Sequence, residues 1–310
     1  MKKVKAVAPY NHPQGINFKT KAYESWHKIG GDIAHAHYPW RIFHKLAFEY
    51  SIPKLCECAA EARLRFVQPV SVRFDTFPDY AWYEIIPLVW DCWPLFFQDM
   101  CDWMKSHRVR TAIFTSSQTA DLMRCQFPEM NVLTITEGVD TGLFNAGKPL
   151  IERSIDLVES GRPNENIISL IEDKVICEHT LANGKRRFSA SKYQELLGNV
   201  KMTIALPRCM TQPQIAGDIE TLTQRYWECM LSRVVMVGHA PKELTELIGY
   251  NPVIELDIEH AQEQILDILS HIEEHQSLVD HNRETALNLG SWDIRMKQVM
   301  EWLHKHGYEV

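Results

Sequence analysis

The sequence predicts an α/β protein made of two tandem, doubly wound parallel-sheet domains. Three observations predict it. Strand-like apolar runs alternate with helix-like runs, an order that joins parallel strands through crossover helices. The alternation starts again after Pro149, and from Ala261 to the end only helical spacing remains. The 310 residues, 45% hydrophobic and 24% charged, suffice for two medium domains of ordinary globular balance.

The first domain reads as strand 4–8, helix 18–29, strand 33–38 and helix 41–50, then, beyond Pro53, strands at 70–75 and 84–91. Pro94 opens a helix, because the N–H that proline lacks has no intrahelical partner in a first turn. Strands at 111–116 and 131–136 flank a short helix. In the second domain, strands at 155–158, 202–206, 234–237 and 253–256 alternate with helices at 191–197, 222–231 and 242–248. The last run, 292–305, sets Trp292, Met296, Val299, Met300 and Leu303 at helical spacing for burial.

Composition excludes several function classes. A formal net charge of −7 argues against nucleic acid as a partner, since phosphate-backbone binding rests on accumulated Lys and Arg. The basic clusters Arg63-Leu64-Arg65 and Lys185-Arg186-Arg187 read as solvated surface, or as a face toward a phosphorylated or membrane-linked acceptor. Eight cysteines at 56, 58, 92, 101, 125, 177, 209 and 229 form no C-x-x-C pair and read as reduced core thiols. Cys56-x-Cys58 with His35-x-His37 lacks the paired spacing of zinc sites, so no metal is expected. No run of about 18 apolar residues occurs, and Met1-Lys2-Lys3-Val4-Lys5 leads into a strand, which points to a cytoplasmic protein without a transmembrane segment. The absence of any G-x-G removes the nicotinamide-dependent oxidoreductases.

The densest chemistry falls around residue 220. Thr221-x-x-Gln224 has the form of a capping box, so Thr221 is the expected N-cap of a helix running from Leu222 through Tyr226, Trp227, Met230 and Leu231. Glu220 then lies in the loop just ahead. Glu228 lies about two turns inside, roughly 10 Å along the axis at ~1.5 Å per residue. Between them, the unpaired amides of Leu222 and Thr223 at the positive end of the helix dipole form an expected diphosphate site.

Glu220 and Glu228 match the E-x7-E motif of retaining glycosyltransferases of the GT-B fold, especially the group-1 family and the divergent members similar to spore-maturation proteins. Further stretches resemble that family in the same order. Glu137-Gly138-Val139-Asp140-Thr141-Gly142-Leu143-Phe144 is similar to its G-V-D-x-x-x-F domain junction, and Ile155-Asp156-Leu157 with Gly161-Arg162 to its first donor-domain strand and G-R turn. Thr223-Gln224-Arg225-Tyr226-Trp227-Glu228, followed by Val234-Val235-Met236-Val237-Gly238, resembles its E-helix and next strand. Asn282-Arg283-Glu284 and Ser291-Trp292-Asp293-Ile294-Arg295 resemble its closing helices. The resemblance runs from about Thr134 to the C-terminus.

The resemblance implies a GT-B protein with an acceptor-side domain at 1–147, a nucleotide-sugar domain at 148–291, and a terminal helix within 292–310 that crosses back to the first domain, with hinges near 145–150 and 290. It implies transfer of a sugar from a nucleotide-diphosphate sugar to a saccharide or lipid-linked saccharide acceptor, at a soluble or peripheral membrane face, in glycan or surface-polysaccharide assembly. No cofactor is implied beyond the donor, and the lack of a D-x-D strand end implies no metal. Glu228 would hold the ribose hydroxyls, Arg162 and Arg225 the diphosphate, and Glu220 the donor sugar. Gly15, in the loop from Asn11 to Asn17 after the first strand, would lie against the donor. Asp91, at the end of the apolar run Ile85 to Trp90, could take the acceptor's proton or cap the following helix. Glu228 could alternatively pair with Arg225 or Arg233, and Glu220 could simply be an acid favoured by the helix dipole.

Two departures from the family pattern matter. No lysine follows Gly161-Arg162 at the family's offset, the next being Lys174, so Lys185, Arg186 or Arg187 substitutes or the phosphate site is leaner. Thr221 stands where family members often have glycine, which narrows the donor pocket. A GT-B sugar epimerase or phosphorylase, and a non-catalytic sugar-binding relative, are the rival readings.

Overall fold

The computed structural model describes residues 1–9, 18–35, 54–162, 164–182 and 185–310, the side chains of 182, 185 and 186 excepted. In chain order its first stretch contains β1 (Lys2–Val7), α1 (Phe18–Lys28), β2 (Ile33–Ala34), β3 (Glu61–Val67), α2 (Val72–Thr76), α3 (Asp79–Trp82), β4 (Glu84–Val89), α4 (Pro94–Ser106), β5 (Thr111–Phe114), α5 (Ser117–Gln126) and β6 (Asn131–Thr134). The second stretch contains β7 (Ile155–Glu159), β8 (Cys177–His179), β9 (Leu181–Ala182), β10 (Lys185–Arg186), α6 (Ala190–Leu197), β11 (Val200–Ala205), α7 (Arg208–Thr211), α8 (Gln224–Leu231), β12 (Val235–Gly238), α9 (Lys242–Ile248), β13 (Ile254–Glu255), α10 (Ala261–Ser270) and α11 (Gln276–Leu289). The chain closes with α12 (Trp292–Lys305) and β14 (Tyr308–Glu309).

Two compact units result. One comprises Met1–Glu137, Gln214–Thr221 and Trp292–Val310, the other Gly138–Pro213 and Leu222–Ser291. Each carries a parallel sheet. In the first unit the strand order is β14-β1-β3-β4-β5-β6, with β2 also on β1. In the second it is β13-β12-β11-β7-β8, beside a small β9–β10 hairpin. The two-domain α/β reading therefore holds, and α12 returns to the first unit as expected.

Burial explains the strands. All six residues of β4 are buried, and the five after Glu84, IIPLV, are the continuous apolar run of a strand covered on both faces. On α12, Trp292, Met296, Val299 and Leu303 pack on the β1, β3 and β4 core beside Trp26 and Trp90. Arg295 is buried on the same helix, and burial brings its pKa down to about 10.

The expected strand at 70–75 is absent. Pro69 instead opens a 3-10 turn that runs into α2, and the strand of this region is β3, Glu61–Val67. Arg63 and Arg65 disguised it, because a basic cluster looks like surface. Both are buried. Arg65 donates to Asp79 at 2.6 Å and to the Asp75 carbonyl, while Arg63 pairs with Glu61 at 2.7 Å and lies 3.7 Å over the Tyr83 ring. Cys56 and Cys125 are exposed thiols, not core ones.

The segment expected to hinge at 145–150 is pinned within the second unit. Buried Arg153 donates to the carbonyls of Ala146, Lys148, Leu197, Val200 and Ser232. Arg233 donates to Ala146 and Gly147. Gly147, at φ +66°, packs so closely that a Cβ would meet the Gly198 carbonyl oxygen at 2.3 Å. The chain leaves the second unit for the last time after Ser291. Among the described residues no helix is long and apolar enough to cross a membrane.

Candidate functional site

Open parallel sheets bind ligands beyond the carboxyl ends of their strands, at the point where the chain reverses its direction of winding. In the second unit the chain leaves β7 for β8 on one side and returns to β11 on the other, so that point lies between β7 and β11. The loops there are Ser160-Gly161-Arg162 and Leu206-Pro207-Arg208.

Gly161 is required at its position. Its φ is +82°, and a Cβ there would sit 1.9 Å from Arg225 Nη2, so the Arg225 guanidinium lies directly across the bare backbone. The Gly161 N–H donates to Thr180 Oγ1 at 3.0 Å, which fixes the turn. Arg162 Nε reaches Thr211 Oγ1 at 3.3 Å on α7, the helix that begins with Arg208. Two arginines, Arg162 in the turn itself and Arg225 across it, thus stand at one glycine turn, while Arg208 Nε donates to Gln212 Oε1 at 3.0 Å. Sequence reading named Arg162 and Arg225 but not Arg208, which stands three residues beyond the end of β11 as Arg162 does beyond β7. Of the three residues suggested as substitutes for the missing lysine, Arg187 turns to the His179 carbonyl and Glu178. The Lys185 and Arg186 side chains lie outside the described atoms.

Glu228 sits half-buried on α8, three residues beyond Arg225. Tyr193 donates to its Oε2 at 3.2 Å. The pairing with Arg233 does not form, since Arg233 binds Asp280 at 2.8 Å and the 146–147 carbonyls. Beside Glu228, burial pushes the Cys229 thiol up to about 12, so it carries no nucleophile.

The helix entrance differs from the capping-box expectation. The helix begins at Gln224 with Thr223 as N-cap, and no side chain caps it. Thr221 lies two residues outside, buried, with its hydroxyl toward the Thr115 carbonyl at 3.4 Å in the first unit. Leu222 N–H donates to Glu243 Oε2 at 2.8 Å. A carboxylate from the chain itself therefore takes the place that the Leu222 amide was expected to offer a diphosphate. Thr223 is half-buried at the helix start. Glu220 is half-buried in the first unit, its N–H donating to Gln118 Oε1 at 2.7 Å, so the two glutamates of the E-x7-E pair belong to different units. Gly15 and its loop, and His37 of the rejected zinc pattern, lie outside the described residues.

Asp91 follows β4 at the carboxyl end of the first unit's parallel sheet. Its φ is +53°, a left-handed conformation that aspartate tolerates better than most residues and that concentrates at functional positions. Trp93 is the N-cap of α4 and no side chain caps the helix, so Asp91 is not the cap. Gln68 Nε2 instead holds Asp91 Oδ2 at 2.5 Å. Asp91 lines a small pocket, partly open to solvent, with Trp93, Thr115, Ser116, Glu137 and Thr221. Glu137 is a second buried carboxyl residue there, to which the sequence reading gave no role.

The fold matches solved structures at low sequence identity. Sucrose-phosphate synthase from Thermosynechococcus elongatus aligns with a TM-score of 0.63 at 11% identity, over 99% of this chain and all of that one. HepE from Anabaena, solved with UDP and glucose, aligns with a TM-score of 0.60 at 11% identity, over 98% of this chain and all of that one. TarM aligns with a TM-score of 0.52 at 11% identity, over 78% of this chain and 54% of TarM, so the match spans about half of that protein. No protein-family model and no curated protein matches the sequence. The architecture is the GT-B fold, two Rossmann-like α/β units in tandem.

Proposed function

We propose, from a GT-B fold with an arginine-lined glycine turn at its second switch point, that this chain is a retaining glycosyltransferase. It would move a sugar from a nucleotide-diphosphate sugar to a saccharide or lipid-linked saccharide acceptor in cytoplasmic glycan assembly. The single observation that carries the reading is the Gly161 turn with Arg162 and Arg225 around it and Glu228 one helical turn beyond. HepE, solved with UDP-glucose, supports the nucleotide-sugar class by analogy of fold.

In this reading Arg162 and Arg225 hold the diphosphate and neutralise the charge that builds on it as the bond between the sugar's anomeric carbon and the phosphate oxygen breaks. Arg208 supplies the third cation in place of the lysine that the family pattern carries. Glu228 accepts the ribose hydroxyls, each charge-assisted bond contributing about 1.5 to 3 kcal/mol. Glu220 steadies the donor sugar and its developing positive charge. Asp91 accepts the proton of the attacking acceptor hydroxyl, and the Asp91 pocket holds that hydroxyl. Guanidinium groups carry the leaving-group charge, so turnover is proposed to need no divalent cation.

The test is release of nucleoside diphosphate from UDP-, GDP- and ADP-linked sugars with and without saccharide acceptors, in EDTA. Acceptor-stimulated release that EDTA does not affect is the expected result. Release indifferent to acceptor would favour an epimerase or phosphorylase, and loss in EDTA restored by Mg²⁺ or Mn²⁺ would end the metal-free proposal.

A further inference from the structure

We propose that Tyr193 is a positioning residue for the Glu228 carboxylate, and that its hydroxyl sets how sharply the site separates a ribonucleotide from the 2′-deoxy form. The inference rests on the reading of Glu228 as the ribose ligand. Tyr193 stands on α6, and its ring packs against the core cluster that contains Tyr226, Trp227 and Cys229. The hydroxyl is therefore carried on a ring that packing holds in place. It lies 3.2 Å from Glu228 Oε2 and 3.0 Å from Ser160 Oγ.

The direction of the two bonds follows from their chemistry. A carboxylate only accepts, so the single phenolic proton goes to Glu228, and the phenol oxygen accepts from Ser160. Burial and the adjacent Glu228 charge hold the phenol's pKa well above its ordinary value, so Tyr193 stays a donor through the physiological range. The relay Ser160 to Tyr193 to Glu228 starts at the residue before Gly161 and ends in the middle of α8. It ties the carboxylate to the same turn that Arg225 covers.

The consequence for binding is specific. Ordering a glutamate side chain costs rotamer entropy, and the relay orders this one before any ligand arrives. Without the Tyr193 hydroxyl, Arg225, three residues earlier on the same helix, becomes a competing partner for the carboxylate. Phosphate contacts made by arginines do not depend on that orientation. Bonds from the ribose 2′-hydroxyl do.

Calorimetric titration of the full chain with UDP, GDP and ADP, and with the 2′-deoxy counterpart of whichever binds, tests the inference in wild type, Tyr193→Phe and Ser160→Ala. Wild type is expected to favour the ribonucleotide by about tenfold or more. Tyr193→Phe is expected to lose about five- to tenfold for the ribonucleotide and less than about twofold for the 2′-deoxy form, so that discrimination collapses. Ser160→Ala shifts the ratio in the same direction by less, and carries the test where Tyr193→Phe does not fold. Equal losses for both nucleotides are what a packing role gives, and they would overturn the inference, as would intact discrimination in a folded variant. Wild type that binds both forms equally would overturn the ribose reading of Glu228 and this inference with it. Discrimination that survives in Tyr193→Phe sinks the inference alone.

Discussion

Glu228→Ala is expected to weaken nucleoside-diphosphate binding about tenfold or more while leaving the melting temperature within a few degrees. The affinity loss follows from removing at least one charge-assisted bond of about 1.5 to 3 kcal/mol, when about 1.4 kcal/mol is a factor of ten. Stability changes little because α8 is anchored by other residues. Tyr226, Trp227, Cys229, Met230 and Leu231 are its buried members, and Glu228 is half exposed. Tyr193 keeps its contact with Ser160 after the substitution. Calorimetry on the folded variant checks this, and an unchanged affinity would remove Glu228 from the site.

Arg153→Met is expected to produce the largest loss of stability, confined to the second unit. Arg153 is 2% exposed, and burial lowers its pKa to about 10. Its value lies in the five carbonyls it satisfies, drawn from the 146–148 segment, the end of α6, the start of β11 and the residue after α8. Methionine fills much of the volume and satisfies none of them. Buried acceptors left unpaired cost about 1 to 3 kcal/mol each, and relief of the arginine's own desolvation returns part of it, so about 3 to 5 kcal/mol is the net expectation. That is a large share of the ~5–15 kcal/mol by which domains are stable. Amide hydrogen exchange checks the localisation. The amides of β7 and β11 should lose protection while those of β3 and β4 keep theirs, and unchanged exchange in β7 and β11 would contradict the role given to Arg153.

Much of the fold was legible because its signals are local. The helix 242–248 and the terminal helix appear at the residues the spacing predicts. The strands at 155–158, 202–206 and 234–237 appear within about two residues of their expected places. Where tertiary partners override local pattern, the sequence misled. β3 carries Arg63 and Arg65, whose burial depends on Glu61, Asp79 and the Tyr83 ring, none of which a basic cluster announces. The two-residue β14 is fixed by Tyr308, whose hydroxyl meets Thr111 and Glu84 far away in the chain.

The site divided along the same line. Strand-end loops and the E-x7-E spacing directed attention to Arg162, Arg225 and Glu228. The placement of Arg225 across Gly161 is a matter of sub-ångström packing that no spacing encodes. The capping box failed because Thr221 found a partner in Thr115, about a hundred residues away, and because Glu243 came to Leu222 from the following helix. Tyr193 had no signal in the sequence at all; it acquires meaning only beside Ser160 and Glu228.

The central claim is that the Gly161 turn and its arginines bind a nucleoside diphosphate, and thermal melting of wild type and an Arg162→Ala/Arg225→Ala double variant against UDP, GDP, ADP and their glucose conjugates tests it most directly. At least one ligand should raise the wild-type melting temperature by several degrees, since ligand at a hundred times its Kd adds about 2.7 kcal/mol, and the double variant should show no rise. No shift with any of these ligands, or an equal shift in the double variant, would contradict the account.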